Sequence, residues 1–239
     1  MHKPTILIAN SRTGTNFFLE TYRHLFPNDE TFGEIFRRSG DSLPKIQRCL
    51  GKDVDTIRRF AQSDPLAFWD QLVSQYRLGN QRIIAKIFYQ HVPRNSALWD
   101  SFATGTRVVH LVRRNVFDRF LSLKIALQTH NWVDRGKSIE ISEPRPLVVD
   151  VAELLEFIQS YKDQVSWARA KFGDNDYSEL SYEEISDSAL KCANMISQVF
   201  GVSPPDQIVV SIKKQKRLHN SHLVTNYDQV RIFDRELAF

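Results

Sequence analysis

Cysteine is scarce in this chain of 239 residues: Cys49 and Cys192 are the only two, and they sit in unrelated contexts. That excludes a disulfide framework and a zinc knuckle, and it leads to the expectation of a reduced, cytoplasmic protein. Long hydrophobic runs are missing too. No stretch approaches the roughly 18–20 uncharged apolar residues of a membrane span. The opening MHKPTILIANSRTG meets a polar Asn-Ser-Arg run too early for a secretory leader. Excess charge of one sign is small, since 32 Lys+Arg against 28 Asp+Glu leave +4, which rules out a histone-like polycation. Internal repeats and low-complexity segments are absent. What is there is an ordinary globular composition, 42% apolar and 25% charged, on a chain long enough for a sizeable core.

The cations are grouped: Arg37-Arg38, Arg58-Arg59, Arg113-Arg114, and Lys213-Lys214 with Lys216-Arg217. Small separated clusters suit a compact ligand carrying several phosphates. A nucleic-acid duplex wants a continuous basic stripe, so no nucleic-acid partner is expected. Arg58-Arg59 falls in a helical pattern and reads as a solvated face.

Along the chain, Thr5–Ala9 is an apolar strand that leads through a small polar loop into a helix beginning near Phe17. Residues 53–62 and 65–78 read as helices, the second entered through Asp64-Pro65, an N-cap followed by proline at the first helical position. Arg82 to Phe88 and Arg107 to Val112 read as strands. Their unbroken Val/Ile/Leu character suggests cover on both faces, as in parallel α/β sheets. A helix follows from Val116 to Thr129, then a polar loop at 134–147 with Pro144 and Pro146, which is expected to face substrate. A helix over 150–172, a strand from Tyr177 to Leu180 and a helix from Ser186 to Phe200 complete the pattern, closed by Gly201 and Pro204-Pro205. The expected architecture is one α/β domain spanning 1–239: three layers, a central parallel sheet of about five strands, helices on both faces.

Two segments carry chemistry. Asn10-Ser11-Arg12-Thr13-Gly14-Thr15-Asn16 joins a buried strand to a helix, and a helix N-terminus offers unpaired N–H groups and positive dipole to an anion. Gly14 permits close backbone approach, the hydroxyls of Ser11, Thr13 and Thr15 add donors, and Arg12 adds a fixed charge. The match to a Walker A loop fails, because the first glycine and the lysine are missing. The second segment is VVHLVRRNVFDRFLSLK. There Arg113-Arg114 sit at the carboxyl end of a strand, and Ser122 lies eight residues beyond Arg114 on the following helix.

Together these segments resemble the sulfotransferases that use 3′-phosphoadenosine 5′-phosphosulfate, particularly the bacterial branch with the nodulation-factor and trehalose enzymes. The family's phosphosulfate loop is similar to ILIANSRTGTNFF (residues 6–18). Its Arg-Asn-x-x-Asp-x-x-x-Ser motif is similar to Arg114 through Ser122. The resemblance implies a P-loop-like sulfotransferase fold, with Ser11, Arg12, Thr13, Gly14, Thr15 and Asn16 around the 5′-phosphosulfate and Arg114 and Ser122 on the 3′-phosphate. Leu180-Ser181-Tyr182-Glu183-Glu184 resembles a segment that lies beside the nucleotide, which implies a contact from Tyr182. The basic tail, with Lys216 and Arg217, falls where the family closes over the nucleotide, although its Arg-Lys-Gly triplet is absent. Arg12 stands where many members carry lysine. No metal is expected: a nucleotide triphosphatase needs a strand-end acid for Mg²⁺, and here that strand ends in Val-Arg-Arg.

The implied reaction is in-line transfer of a sulfuryl group to a hydroxyl, less readily to an amine, of a small-molecule or glycan acceptor. By resemblance the acceptor is a carbohydrate or glycolipid. The reaction needs a base and a cation on the departing phosphate. Arg12 and Lys86 are candidates for the cation, Lys86 having an equal reading as a snorkelling surface lysine. For the base, Glu34 among aromatic residues is favoured over His91, since apolar surroundings raise a carboxyl pKa. A plain helix-edge glutamate remains the alternative. His110 in mid-strand reads as a packed core histidine, and Trp69, Trp99 and Trp167 as core anchors. Trp132, in a polar loop, is expected to line an acceptor site, and His219 with His222 make a poor metal site. Two other readings stay open: a small-molecule or nucleotide kinase, which would need Mg²⁺ and ATP, and a non-catalytic nucleotide- or RNA-binding module, whose binding would fall steeply with salt.

Overall fold

The computed structural model describes residues 3–40, 42–77, 81–132, 145–212 and 218–237. Lys216 and Arg217, with the rest of the basic tail from Lys213, lie outside the described residues, as does most of the loop expected at 134–147. In chain order the elements are β1 (Thr5–Ala9), α1 (Thr15–Leu25), β2 (Glu30–Glu34), α2 (Leu43–Leu50), α3 (Val54–Ser63), α4 (Pro65–Arg77), β3 (Ile83–Phe88) and α5 (Ala97–Gly105). There follow β4 (Arg107–Val112), α6 (Val116–Thr129), α7 (Val151–Phe172), β5 (Tyr177–Ser181), α8 (Tyr182–Ile185), α9 (Ala189–Phe200), α10 (Asn220–Leu223) and α11 (Tyr227–Val230). Contacts group these into two compact units interleaved along the chain. A sheet unit comprises Met1–Asn10, Tyr22–Leu111 and Ala168–Leu180; a helical unit comprises Ser11–Thr21, Val112–Trp167 and Ser181–Phe239.

The sheet unit holds five strands in the order β2-β3-β1-β4-β5. β1 runs parallel to β3 and to β4, with Thr5 opposite Ile84 and Arg107, and β2 runs parallel to β3. Every residue of β1 and β3 is buried, which is why their sequences are apolar without alternation. Trp69 packs edge-on against Phe102 at 5.1 Å and Trp99 against Phe102 at 5.7 Å, so both are core anchors. The Asp64-Pro65 start of α4 is as expected, the Asp64 carboxylate accepting the Ala67 amide at 3.0 Å. His110 is a satisfied core histidine: its ring bonds the hydroxyls of Tyr89 and Tyr177 and the carboxylate of Glu179. Burial pushes its pKa down and keeps it neutral.

Three local expectations need correction. Residues 30–34 form a strand, so Glu34 ends β2 and is not at a helix edge. Leu43–Leu50 forms a helix not foreseen, with Gly51 closing it in the left-handed conformation (φ 63°). The helix expected from Ser186 to Phe200 starts at Ala189, capped by Ser188, and a separate short helix not foreseen, α8, precedes it with Ser181 and Glu184 forming its reciprocal cap.

In the helical unit α6 and α7 supply most of the core. Val116, Phe117, Phe120 and Leu121 face Leu154, Ile158, Tyr161 and Val165, joined by Leu223, Val224 and Val230. Leu147 bridges to Val224 through two backbone hydrogen bonds of 2.8 Å with the neighbouring residues Leu223 and Thr225. Among the described residues no helix is long and apolar enough to cross a membrane.

Candidate active site

Residues 11–16 and 113–122, the parts of the two segments expected to bind an anion, fall in the helical unit. The loop is bent sharply: Arg12 has φ 65° and Gly14 φ 81°, and the Gly14 carbonyl accepts the first helical amide, from Phe18, at 3.0 Å. Gly14 is required twice over. Its φ is costly for any L side chain, and a Cβ there would stand 2.7 Å from Cδ2 of Tyr182.

Arg12 bridges the two segments. Its Nε donates to Ser122 Oγ at 2.9 Å, across 110 residues of sequence, and its Nη1 donates to the Trp132 carbonyl at 2.6 Å. Arg113 is 6% exposed; it donates to the Arg12 carbonyl at 3.1 Å and to Asp118 at 2.9 Å. Its guanidinium lies 4.2 Å over the Tyr182 ring, and its Nε has no hydrogen-bond acceptor among the described residues. Burial, and then the neighbouring charge of Arg113, hold the Arg12 pKa below its ordinary value. Cations pressed together in this way are stabilised by an anion brought between them.

Arg114 and Asn115 present their backbone amides to the two oxygens of Glu183, each at 3.0 Å. The Arg114 side chain bonds Ser181 Oγ at 2.7 Å and pairs with Glu184 at 2.8 Å. Thr13, Thr15 and Ser122 are buried, and Ser11 and Asn16 are partly so. Arg119 lies within the motif from Arg114 through Ser122 and Glu183 within the segment from Leu180 to Glu184, at positions to which the motifs assign no role. Arg119 stands three residues before Ser122, hence on the same face of α6, which was the available signal. Glu183 acts on the β4–α6 turn from far along the chain, and no local pattern announces that.

A separate cluster lies in the sheet unit. The pairing of β2 with β3 is irregular between Phe32 and Glu34, which sets Glu34 opposite Lys86. Lys86 is 2% exposed, so it is no snorkelling surface residue; its Nζ lies 3.3 Å from Glu34 Oε1. Arg37 approaches the other oxygen at 3.2 Å. The surroundings of the Glu34 carboxylate are therefore cationic, not the apolar pocket expected. His91 Nδ1 accepts the Phe88 amide at 3.1 Å, leaving the ring proton on Nε2, 3.6 Å from Glu34. Burial lowers its pKa to about 4. A neutral imidazole whose lone pair is already bonded is a poor proton acceptor.

Of the remaining candidates, Trp132 is exposed while Trp167 is partly buried. His219 caps α10. Among the described residues no group of three or more His, Cys, Asp or Glu side chains is placed to hold a metal ion.

No family model matches the sequence. Two curated relatives, each named nodulation protein H and both from Rhizobium meliloti (one from strain 1021), are 23% and 22% identical to it over 233 and 232 residues. Each alignment covers 96% of this chain and 90% of the relative. Among solved structures, the sulfotransferase domain from the curacin biosynthetic pathway matches with TM-score 0.51 at 10% identity, over 86% of this chain and 76% of that one. The likeness carried by the two motifs thus extends over most of the chain and to its fold.

Proposed function

We propose that this chain, a member of the sulfotransferase family with its similarity on the bacterial side, moves a sulfuryl group from 3′-phosphoadenosine 5′-phosphosulfate to a hydroxyl of a carbohydrate or glycolipid. The observation that carries the reading is the bond from Arg12 to Ser122, which joins the loop and the distant motif in one cluster of the helical unit. The same cluster holds Arg113 and Arg119 on consecutive loop carbonyls, with Arg113 also paired to the partly buried Asp118. A polyanionic nucleotide answers that charge.

In the reaction the bond from sulfur to the bridging phosphate oxygen breaks as the acceptor oxygen bonds to sulfur, releasing adenosine 3′,5′-bisphosphate. Arg12 and the loop amides are assigned to the charge that develops on the departing phosphate. Arg114 and Ser122 are assigned to the 3′-phosphate. Arg114 must then exchange Glu184 for that ligand, a like-for-like replacement of one anion by another. Tyr182 is assigned to the nucleotide, beside Arg113 and Gly14. The acceptor proton is assigned to Glu34, with Lys86 as the paired cation. A β4 end made of Val112-Arg113-Arg114 supports cation rather than Mg²⁺ neutralisation of the donor.

Thermal unfolding with added nucleotide tests the reading. Adenosine 3′,5′-bisphosphate at about 100 times its Kd should add about 2.7 kcal/mol, which for a chain of this size means about 2–4 °C of Tm per kcal/mol. 5′-AMP should add far less. Stabilisation by ATP with Mg²⁺ and none by the bisphosphate would sink the proposal in favour of a kinase.

A further inference from the structure

Two buried arginines of the helical unit hold consecutive carbonyls of the same loop. Arg119, 3% exposed, donates from Nε to the Ser11 carbonyl at 3.1 Å. Arg113 donates from Nη1 to the Arg12 carbonyl at 3.1 Å. In a trans peptide the N–H points opposite to its C=O. Fixing these two carbonyls therefore turns the amides of Arg12 and Thr13 together to the other side, and successive amides aligned in this way form an anion-binding concavity. The left-handed φ of Arg12 is the backbone setting that such an arrangement uses, and a residue pays for it with strain that the surroundings must offset.

The arginines are themselves immobilised. The Arg119 guanidinium lies 4.4 Å from the Phe157 ring centre and 4.5 Å from that of Tyr161, so it is held by two aromatic rings on one face of α7. The Tyr161 hydroxyl accepts the backbone amide of Arg113 at 2.7 Å. Asp118 and the Tyr182 ring hold the Arg113 side chain. The same α6 face that carries Arg119 carries Ser122, the partner of Arg12.

We infer that Arg113 and Arg119 are positioning residues: they act on the donor's 5′ group through the loop carbonyls they hold, and α7 braces them through Phe157 and Tyr161. This rests on the proposed function, which supplies the donor. It assigns a task to two cations outside the loop and motif positions that carry the resemblance, and it makes α7 a determinant of how the loop is shaped.

Calorimetric titration of the chain with two ligands tests it, adenosine 3′,5′-bisphosphate and adenosine 3′-phosphate, which lacks the 5′ group. Arg119→Gln should weaken bisphosphate binding at least tenfold and change 3′-phosphate binding by less than twofold. Phe157→Leu, at a partly buried position that leaves the arginine in place, should weaken the bisphosphate several-fold with the same selectivity. Equal weakening of both ligands would mean general support of the unit and would overturn the inference; so would unchanged bisphosphate affinity in both variants. Should Arg119→Gln not fold, Phe157→Leu decides by the same criterion. If the unmodified chain itself does not bind the bisphosphate, the functional reading fails, an outcome distinct from a clamp that proves dispensable in a chain that binds.

Discussion

At the residue scale, two positions show how strongly local geometry limits substitution. Gly14→Ala must tolerate a left-handed φ and a methyl 2.7 Å from the Tyr182 ring. The expected loss is about 1–3 kcal/mol of stability, seen in urea unfolding, together with loss of measurable bisphosphate binding. A variant with unchanged affinity would show that the loop does not hold the donor. His91 makes a prediction in pH. Its pKa lies at about 4 in the folded chain, against an ordinary 6.5, through burial and the charges of Lys86 and Arg37, with Glu34 opposing them. Between those values the unfolded chain binds a proton that the folded chain refuses, so stability falls as pH drops from 6.5 towards 4, by on the order of 3 kcal/mol. His91→Gln should flatten that part of the urea-derived stability curve, and an unaltered slope would refute the assignment. Arg12, Gly14, Arg114 and Ser122 were legible in the sequence because each belongs to a short contiguous motif. The pairing of Glu34 with Lys86 was not, because it depends on a one-residue irregularity at Gly33 that shifts which side chain of β2 meets β3.

At the scale of elements, α6 is the piece that organises the helical unit. Asn115 caps it, its side-chain oxygen accepting the Asp118 amide at 2.8 Å, while its Nδ2 donates to Asp234 at 3.1 Å. Asn115→Ala should cost about 1 kcal/mol, and Asn115→Ser should recover most of it. Asn115→Asp should recover less than serine, since it sets a second carboxylate against Asp234; urea midpoints for the three variants distinguish these outcomes. The sequence marked β1, β4 and α6 to the residue, because buried apolar runs and an abrupt Arg-Arg-Asn boundary leave little choice. It missed β2, whose five residues include Gly33 and two glutamates and so resemble a loop. The short helix α8 was missed as well, since it is set by the side-chain caps of Ser181 and Glu184 and is too short to show a hydrophobic period.

At the scale of the whole molecule, the proposed tasks fall to different compact units: anion grips in the helical unit, Glu34 and Lys86 in the sheet unit. Glu34→Gln should therefore cut turnover by about 10²–10⁴ and leave the calorimetric affinity for adenosine 3′,5′-bisphosphate within twofold. If affinity falls in step with turnover, Glu34 is not acting as a base alone. The strand–helix rhythm made the α/β class legible, but the interleaving of two units was not, because nothing in local composition says which distant stretches will pack together. That interleaving bears on how the chain is made. The helical unit, to which the anion grips are assigned, draws on Ser11–Thr21, Val112–Trp167 and Ser181–Phe239. During synthesis Arg12, Arg113 and Arg119 emerge before Tyr182 and Glu183, so the proposed donor site stays incomplete until the stretch from Ser181 has followed them.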